Sequence, residues 1–147
     1  MIQKKNLRKA SGLGIVLTLV FVAVVSSCAA GQHTQPVFDI TEATGGFGQV
    51  SVTVKNIGDA TAENITIIIS VQGGIFNKIN IEKVCSGCDM CGTTIPPNGT
   101  KAESTSEAGF ILGFGPITIT ASAEAKDTAK VEKTFSGFVF GPFVRVN

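Results

Sequence analysis

Val50-Ser51-Val52-Thr53-Val54-Lys55-Asn56 sets three valines on alternate positions, with Ser, Thr and Lys between them. A period of two puts one set of side chains in a core and the other in water, as in a strand of a half-solvated antiparallel sheet. The same rhythm returns downstream. Ile65, Ile67, Ile69 and Val71 alternate with Asn64, Thr66, Ser70 and Gln72, and Ile68 is the only breach. Ile117, Ile119, Ala121, Ala123 and Ala125 alternate with Thr118, Thr120, Ser122 and Glu124. Weaker stretches are Val37 to Thr41, Lys78 to Val84, Thr100 to Glu107 and Thr128 to Phe135, where Lys133 interrupts the pattern and points to an edge or a bulge. Phe138 to Phe140 and Phe143 to Val146 add a final extended piece.

Turn chemistry falls between these runs, at Asn56-Ile57-Gly58-Asp59, Gln72-Gly73-Gly74, Pro96-Pro97-Asn98-Gly99 and Ala125-Lys126-Asp127-Thr128. From Phe38 onward no eleven-residue window has a helical period. The expected fold is all-β, an antiparallel sandwich of about seven to eight strands.

Val50 to Thr66, reading V-S-V-T-V-K-N-I-G-D-A-T-A-E-N-I-T, resembles the opening hairpin of CARDB-type (cell-adhesion-related) domains. Those are immunoglobulin-like sandwiches of prokaryotic surface proteins with a V-x-V-x-V-x-N-x-G strand and turn. Ile95-Pro96-Pro97-Asn98-Gly99-Thr100 is similar to a later turn of the same family. The resemblance covers roughly residues 38 to 135 and implies a non-catalytic surface module. In this reading Asn56 and Gly58 end the strand by accepting left-handed backbone.

The chain opens on a different chemistry. Lys4, Lys5, Arg8 and Lys9 precede the uncharged run Ala10 to Ala30, which is 21 residues long and centred on Leu13 to Val25. A positive flank, an apolar centre and small residues after it mark an export signal, and the flanking charge keeps the amino end inside. Three fates are open. Val25-Ser26-Ser27-Cys28 resembles a bacterial lipobox, which would make Cys28 a lipidated amino terminus. Cleavage near Ala29 or Ala30 would release the domain. Retention would leave one hydrophobic helix, since about 20 residues span a bilayer. The expected organisation is a signal peptide or membrane anchor at 1–30, a tether at 31–37 containing His33, and an immunoglobulin-like domain at 38–147. The expected location is the outer side of the cell membrane.

After Ala30 there remain 117 residues, enough for one core. Eight basic and eleven acidic residues give this part a net charge of −3, so it has no electrostatic footprint for nucleic acid. Nine of the ten phenylalanines lie here, with no Trp or Tyr. Gly109-Phe110-Ile111-Leu112-Gly113-Phe114-Gly115-Pro116 and Gly137-Phe138-Val139-Phe140-Gly141-Pro142-Phe143 resemble each other. They read either as a glycine-hinged plug that closes one end of the sandwich, or as an exposed patch for a partner, for self-association or for the membrane.

Cys85-Ser86-Gly87-Cys88-Asp89-Met90-Cys91 is C-x2-C-x2-C. It resembles part of a ferredoxin motif but lacks the fourth cysteine and following proline. A structural zinc needs a fourth ligand, with Asp89 or His33 the nearest. Outside the cell, two of these thiols are expected to form a disulfide; metal binding and redox chemistry are the alternatives. No cofactor is expected.

Catalytic sets fail on inventory. A Ser-His-Asp arrangement would need His33 from the tether, and Asp39 with Glu42 or Glu103 with Glu107 read as solvated acids rather than an acid–base pair. Asn64-Ile65-Thr66 and Asn98-Gly99-Thr100 match the glycosylation sequon. The expected function is a membrane-anchored, non-catalytic surface module with a binding, adhesion or structural role, its partner a surface protein or glycan. The alternative is a small metal-binding or thiol-redox protein working through Cys85, Cys88 and Cys91.

Overall fold

Val50, Val52 and Val54 are fully buried while Ser51, Thr53 and Lys55 reach toward solvent, so the period of two is realised. The computed structural model describes residues 35–86, 94–126 and 128–147. Their strands are β1 (Phe38–Gly45), β2 (Val50–Asn56), β3 (Ala62–Glu63), β4 (Thr66–Gly73), β5 (Ile79–Ser86), β6 (Thr94–Ile95), β7 (Thr100–Ser104), β8 (Gly113–Ala125), β9 (Thr128–Gly141) and β10 (Phe143–Val146). One sheet has the order β1-β2-β7 and the other β10-β9-β8-β4-β5, while β3 and β6 pair separately. All pairings are antiparallel. The fold is all-β and sandwich-like, with one core shared by Ile40, Val52 and Val54 from the smaller sheet and Ile67, Ile69, Val71, Ile119 and Val139 from the larger.

The strand count exceeds the expected seven to eight. The additions are β3 and β6, two residues each, joined by Ala62↔Ile95 and Glu63↔Thr94. Two residues are too short for a period to show, yet each contributes a buried side chain, Ala62 and Ile95. Ile68, the breach in β4, points to the outer face, where it pairs with Val84 and Ser122. The hydrophobic leader, with Cys28 and His33, lies outside the described residues. Among the described residues no helix is long and apolar enough to cross a membrane.

Asn56 and Gly58 act differently from the expectation, since neither has positive φ. Asn56 is fully buried. Its Oδ1 accepts from the Val37 and Gly58 amides at 3.2 and 3.0 Å, and its Nδ2 donates to the Ala60 and Ile95 carbonyls at 2.7 and 3.0 Å. Its backbone is also held, by Gly99 O and Asn98 N. The carboxamide thus ties the incoming chain, the β2–β3 link and β6, and the backbone of the same residue adds the β6–β7 turn. Gly58 is required by space: a Cβ there would collide with the Gln35 carbonyl oxygen and lie 2.6 Å from the Val37 nitrogen. Gly58→Ala is expected to cost about 2 kcal/mol, read as a lowered urea midpoint with unchanged slope.

Lys133 sits at an edge, because β10 covers only Gly137–Phe140 of β9. No bulge occurs at Lys133 itself, which pairs regularly with Ala121. The irregularity expected in this stretch lies nearer its start, where the register shifts between Ala123↔Val131 and Ala125↔Thr128. A second shift is in β1, between Ile40 and Glu42, and Lys133 Nζ donates to the Ile40 carbonyl at 2.8 Å while lying over the Phe135 ring. The opposite flank is closed by charge. Lys83 lies on the core-facing side of β5, opposite Ile69, and its Nζ reaches Glu107 at 2.7 Å and Glu103 at 3.9 Å. Lys101 meets Glu103 from the other side at 3.5 Å. A lysine at a sheet edge keeps its stem against apolar surface and its ammonium among carboxylates.

Candidate functional site

The two ends of the sandwich differ in chemistry. At one end lie Gln35–Val37, where the chain enters, together with Ser86 and the β8–β9 turn; Pro36 accepts from the Thr128 hydroxyl. At the other end the β1–β2 loop meets the β9–β10 turn and the start of β8. Gly48 N donates to Pro142 O at 2.6 Å, Ile111 N to Gly48 O at 2.8 Å, and Val144 N to Gly46 O at 3.0 Å. Gly48 has φ 67°, and its missing side chain leaves the space that the Phe110 ring occupies.

This second end carries the phenylalanines. The Gly-rich stretches are not hinges: Gly113–Pro116 belongs to β8 and Gly137–Gly141 to β9, and they pair with each other as Gly113↔Gly141, Phe114↔Phe140, Gly115↔Val139 and Pro116↔Phe138. Alternation then divides the side chains. Ile111, Ile117, Val139 and Val144 point inward and close the core, while Phe110, Leu112, Phe114, Phe138, Phe140 and Phe143 point outward. With Phe47 these outward residues are 40% to 65% exposed. The plug is therefore aliphatic, and of the nine phenylalanines after the leader only Phe38 lies in the buried core.

The exposed rings are ordered against one another. Phe47 meets Phe110 and Phe143 edge to face, with centroids 5.5 and 5.6 Å apart. Phe114 does the same with Phe138 and Phe140, both at 5.3 Å. Such pairs contribute ~0.5–1.5 kcal/mol beyond area burial and hold the rings without hiding their faces. At these exposures the patch presents on the order of 700 Å² of apolar side chain. That exceeds the ~300–600 Å² of the largest patch on a typical monomer.

The other expected sites fall elsewhere. Cys85 is in β5 at the end where the chain enters, buried opposite Ile67. Cys88 and Cys91 lie outside the described residues. Among the described residues no three metal-ligating side chains converge. Asn64 and Asn98 are both exposed with left-handed backbone, Asn98 in the β6–β7 turn. Of the imagined carboxylate pairs, Glu103 is matched by two lysines and Glu107 by one, while Asp39 and Glu42 are exposed on β1.

Sequence reasoning missed the polar face beside the aromatic end. Gln72, Asn77, Asn80 and Thr118 line a shallow groove of about 470 Å³, floored by Gly73 and Ile79. The signal was present as the polar half of the β4 and β8 alternation, but the partner strands had to be known before those residues formed a row. Comparison with known proteins adds no relative: no family model, no curated protein and no solved structure matches the chain.

Proposed function

We propose that this chain is a membrane-anchored, extracytoplasmic and non-catalytic surface module whose immunoglobulin-like domain associates with a second copy of itself through the phenylalanine end. The observation that carries the reading is the ordered set of exposed rings at the end opposite Gln35–Val37. Strand order supports the immunoglobulin-like assignment: with β3 and β6 set aside, the first, second and fifth strands form one sheet, and the third, fourth, sixth and seventh form the other with β10 appended. The leader supports export. A disulfide at Cys85 fits the same setting, since such bonds persist in oxidising compartments.

The occupant is argued from area and chemistry. One side of a standard interface buries ~800 Å², close to what this patch offers, and a patch facing its own copy is complementary to itself by a two-fold axis. A bilayer surface fits less well. The aromatic belts at that boundary are built of Trp and Tyr, and this chain has neither. Cell fractionation combined with external protease treatment tests the placement. The protein is expected in the membrane fraction, with its domain digested on intact cells. Recovery with cytosolic markers, protected from protease, contradicts it.

A further inference from the structure

The outer face of the larger sheet holds a polar row beside the aromatic surface, which it borders at Phe138. Register places Asn80 of β5, Gln72 of β4, Thr118 of β8 and Ser136 of β9 directly opposite one another in sequence across four strands. Strands lie ~4.8 Å apart, so this row of two carboxamides and two hydroxyls spans about 14 Å. The next row toward the aromatic end is Pro116 and Phe138, with Arg145 beyond. The row on the other side is Glu82, Ser70, Thr120 and Thr134.

One wall of the groove is strained. In the β4–β5 connection Gly73, Gly74, Phe76 and Asn77 all have positive φ, at 130°, 74°, 61° and 52°. Phe and Asn each cost on the order of 1–2 kcal/mol there. Burial does not offset it, since Phe76 is 87% exposed. The loop is fixed by Gly74 N to Pro116 O at 2.7 Å and by Asn77 N to Gly74 O at 3.1 Å. The loop places Asn77 on the groove lining with Gln72 and Asn80.

We infer that this groove binds a neutral oligosaccharide along Asn80, Gln72 and Thr118, with Ser136 continuing the row beyond the groove lining. Carboxamides donate and accept at once, as sugar hydroxyls require, and hydroxyl side chains do the same. The lining contains no charged residue, which disfavours phosphate, sulfate or uronate ligands. Pro116 and Phe138 on the adjoining row give an apolar strip for the C–H face of a sugar ring. At about 470 Å³ the groove is within the ~300–1,000 Å³ range of small-ligand sites. An extended peptide is the weaker fit, because it would add to a sheet edge rather than lie across a face.

Titration calorimetry of the full chain, in a detergent without a sugar headgroup, tests this with cellohexaose, chitohexaose and maltohexaose, and with a hexagalacturonate as the charged comparison. At least one neutral hexasaccharide is expected to bind with Kd below ~1 mM. Asn80→Ala and Gln72→Ala are each expected to weaken it about tenfold, and Phe47→Ser, outside the groove, to leave it unchanged. Binding of none of the neutral probes at ~10 mM overturns the inference. So does tighter binding of the galacturonate, or neutral binding that survives both amide substitutions. Self-association is read separately by sedimentation, so its failure leaves this result intact.

Discussion

Phe140→Ser combined with Phe143→Ser is expected to weaken self-association of residues 32–147 by at least about 100-fold in sedimentation equilibrium, while the single copy loses two ring pairs, about 1–3 kcal/mol. Both rings are exposed in the single copy, 65% and 62%, so removing them leaves no cavity in the core. Their opposite pairing, Phe143↔Phe140, sets them side by side where β10 meets β9. Large aromatic groups near the centre of an interface each contribute ~2 kcal/mol or more, and two such losses multiply the dissociation constant by about 100 or more. Phe38→Ser is the contrast. That ring is buried, and its loss should lower stability by about 3–5 kcal/mol. If the double variant sediments like the parent at every concentration, the rings do not hold the copies together.

Asn56→Leu is expected to cost about 4 kcal/mol, the largest stability loss among polar substitutions in this domain. The side-chain orientation is fixed by its neighbours: two amide N–H groups face Oδ1 and two carbonyls face Nδ2. Leucine has nearly the same bulk but leaves these groups without partners. Two of the four bonds, to Gly58 N and Ile95 O, are wholly buried, where water cannot replace the side chain. Each orphaned buried group costs ~1–3 kcal/mol. Urea unfolding should show the midpoint falling by about 2 M with the slope unchanged. A loss under about 1 kcal/mol would mean that the four segments hold together without this residue.

The two residues show where sequence was legible and where it was not. The alternation at Val50–Val54, Ile65–Val71 and Ile117–Ala123 named core residues directly, because a half-solvated strand writes its two faces into a period of two. Asn56 was legible as a strand end but not in its role. Its four partners come from segments as far apart as Val37 and Ile95, and tertiary hydrogen bonds have no local pattern. The phenylalanines stayed open between plug and exposed patch for a related reason. In Phe138-Val139-Phe140 both parities are apolar, so hydrophobicity cannot say which faces inward; register with β8 and β10 decides it for Val139. The smaller side chains Ile111, Ile117, Val139 and Val144 take the buried places. The polar groove needed the same register, since Asn80, Gln72, Thr118 and Ser136 are scattered over 65 positions of sequence.

The fold and the surface are linked through that register. Pairing Gly113 with Gly141 fixes the parity of β8 and β9, so that Val139 faces the core while Phe114, Phe138 and Phe140 share the outer face. Hydrogen bonds from Gly46 and Gly48 then bring the β1–β2 loop, with Phe47, against Phe143 and Phe110. Three separate segments are thereby held in one aromatic surface.

Residue-resolved NMR of residues 32–147 across a concentration series, from about 20 μM to about 1 mM, tests that surface most directly. Concentration-dependent ring and amide shifts are expected at Phe47, Phe110, Phe114, Phe138, Phe140 and Phe143, with Ala62, Ile65 and Thr128 at the opposite end unmoved. Shifts confined to the opposite end, or spectra identical at every concentration, would contradict self-association through the rings.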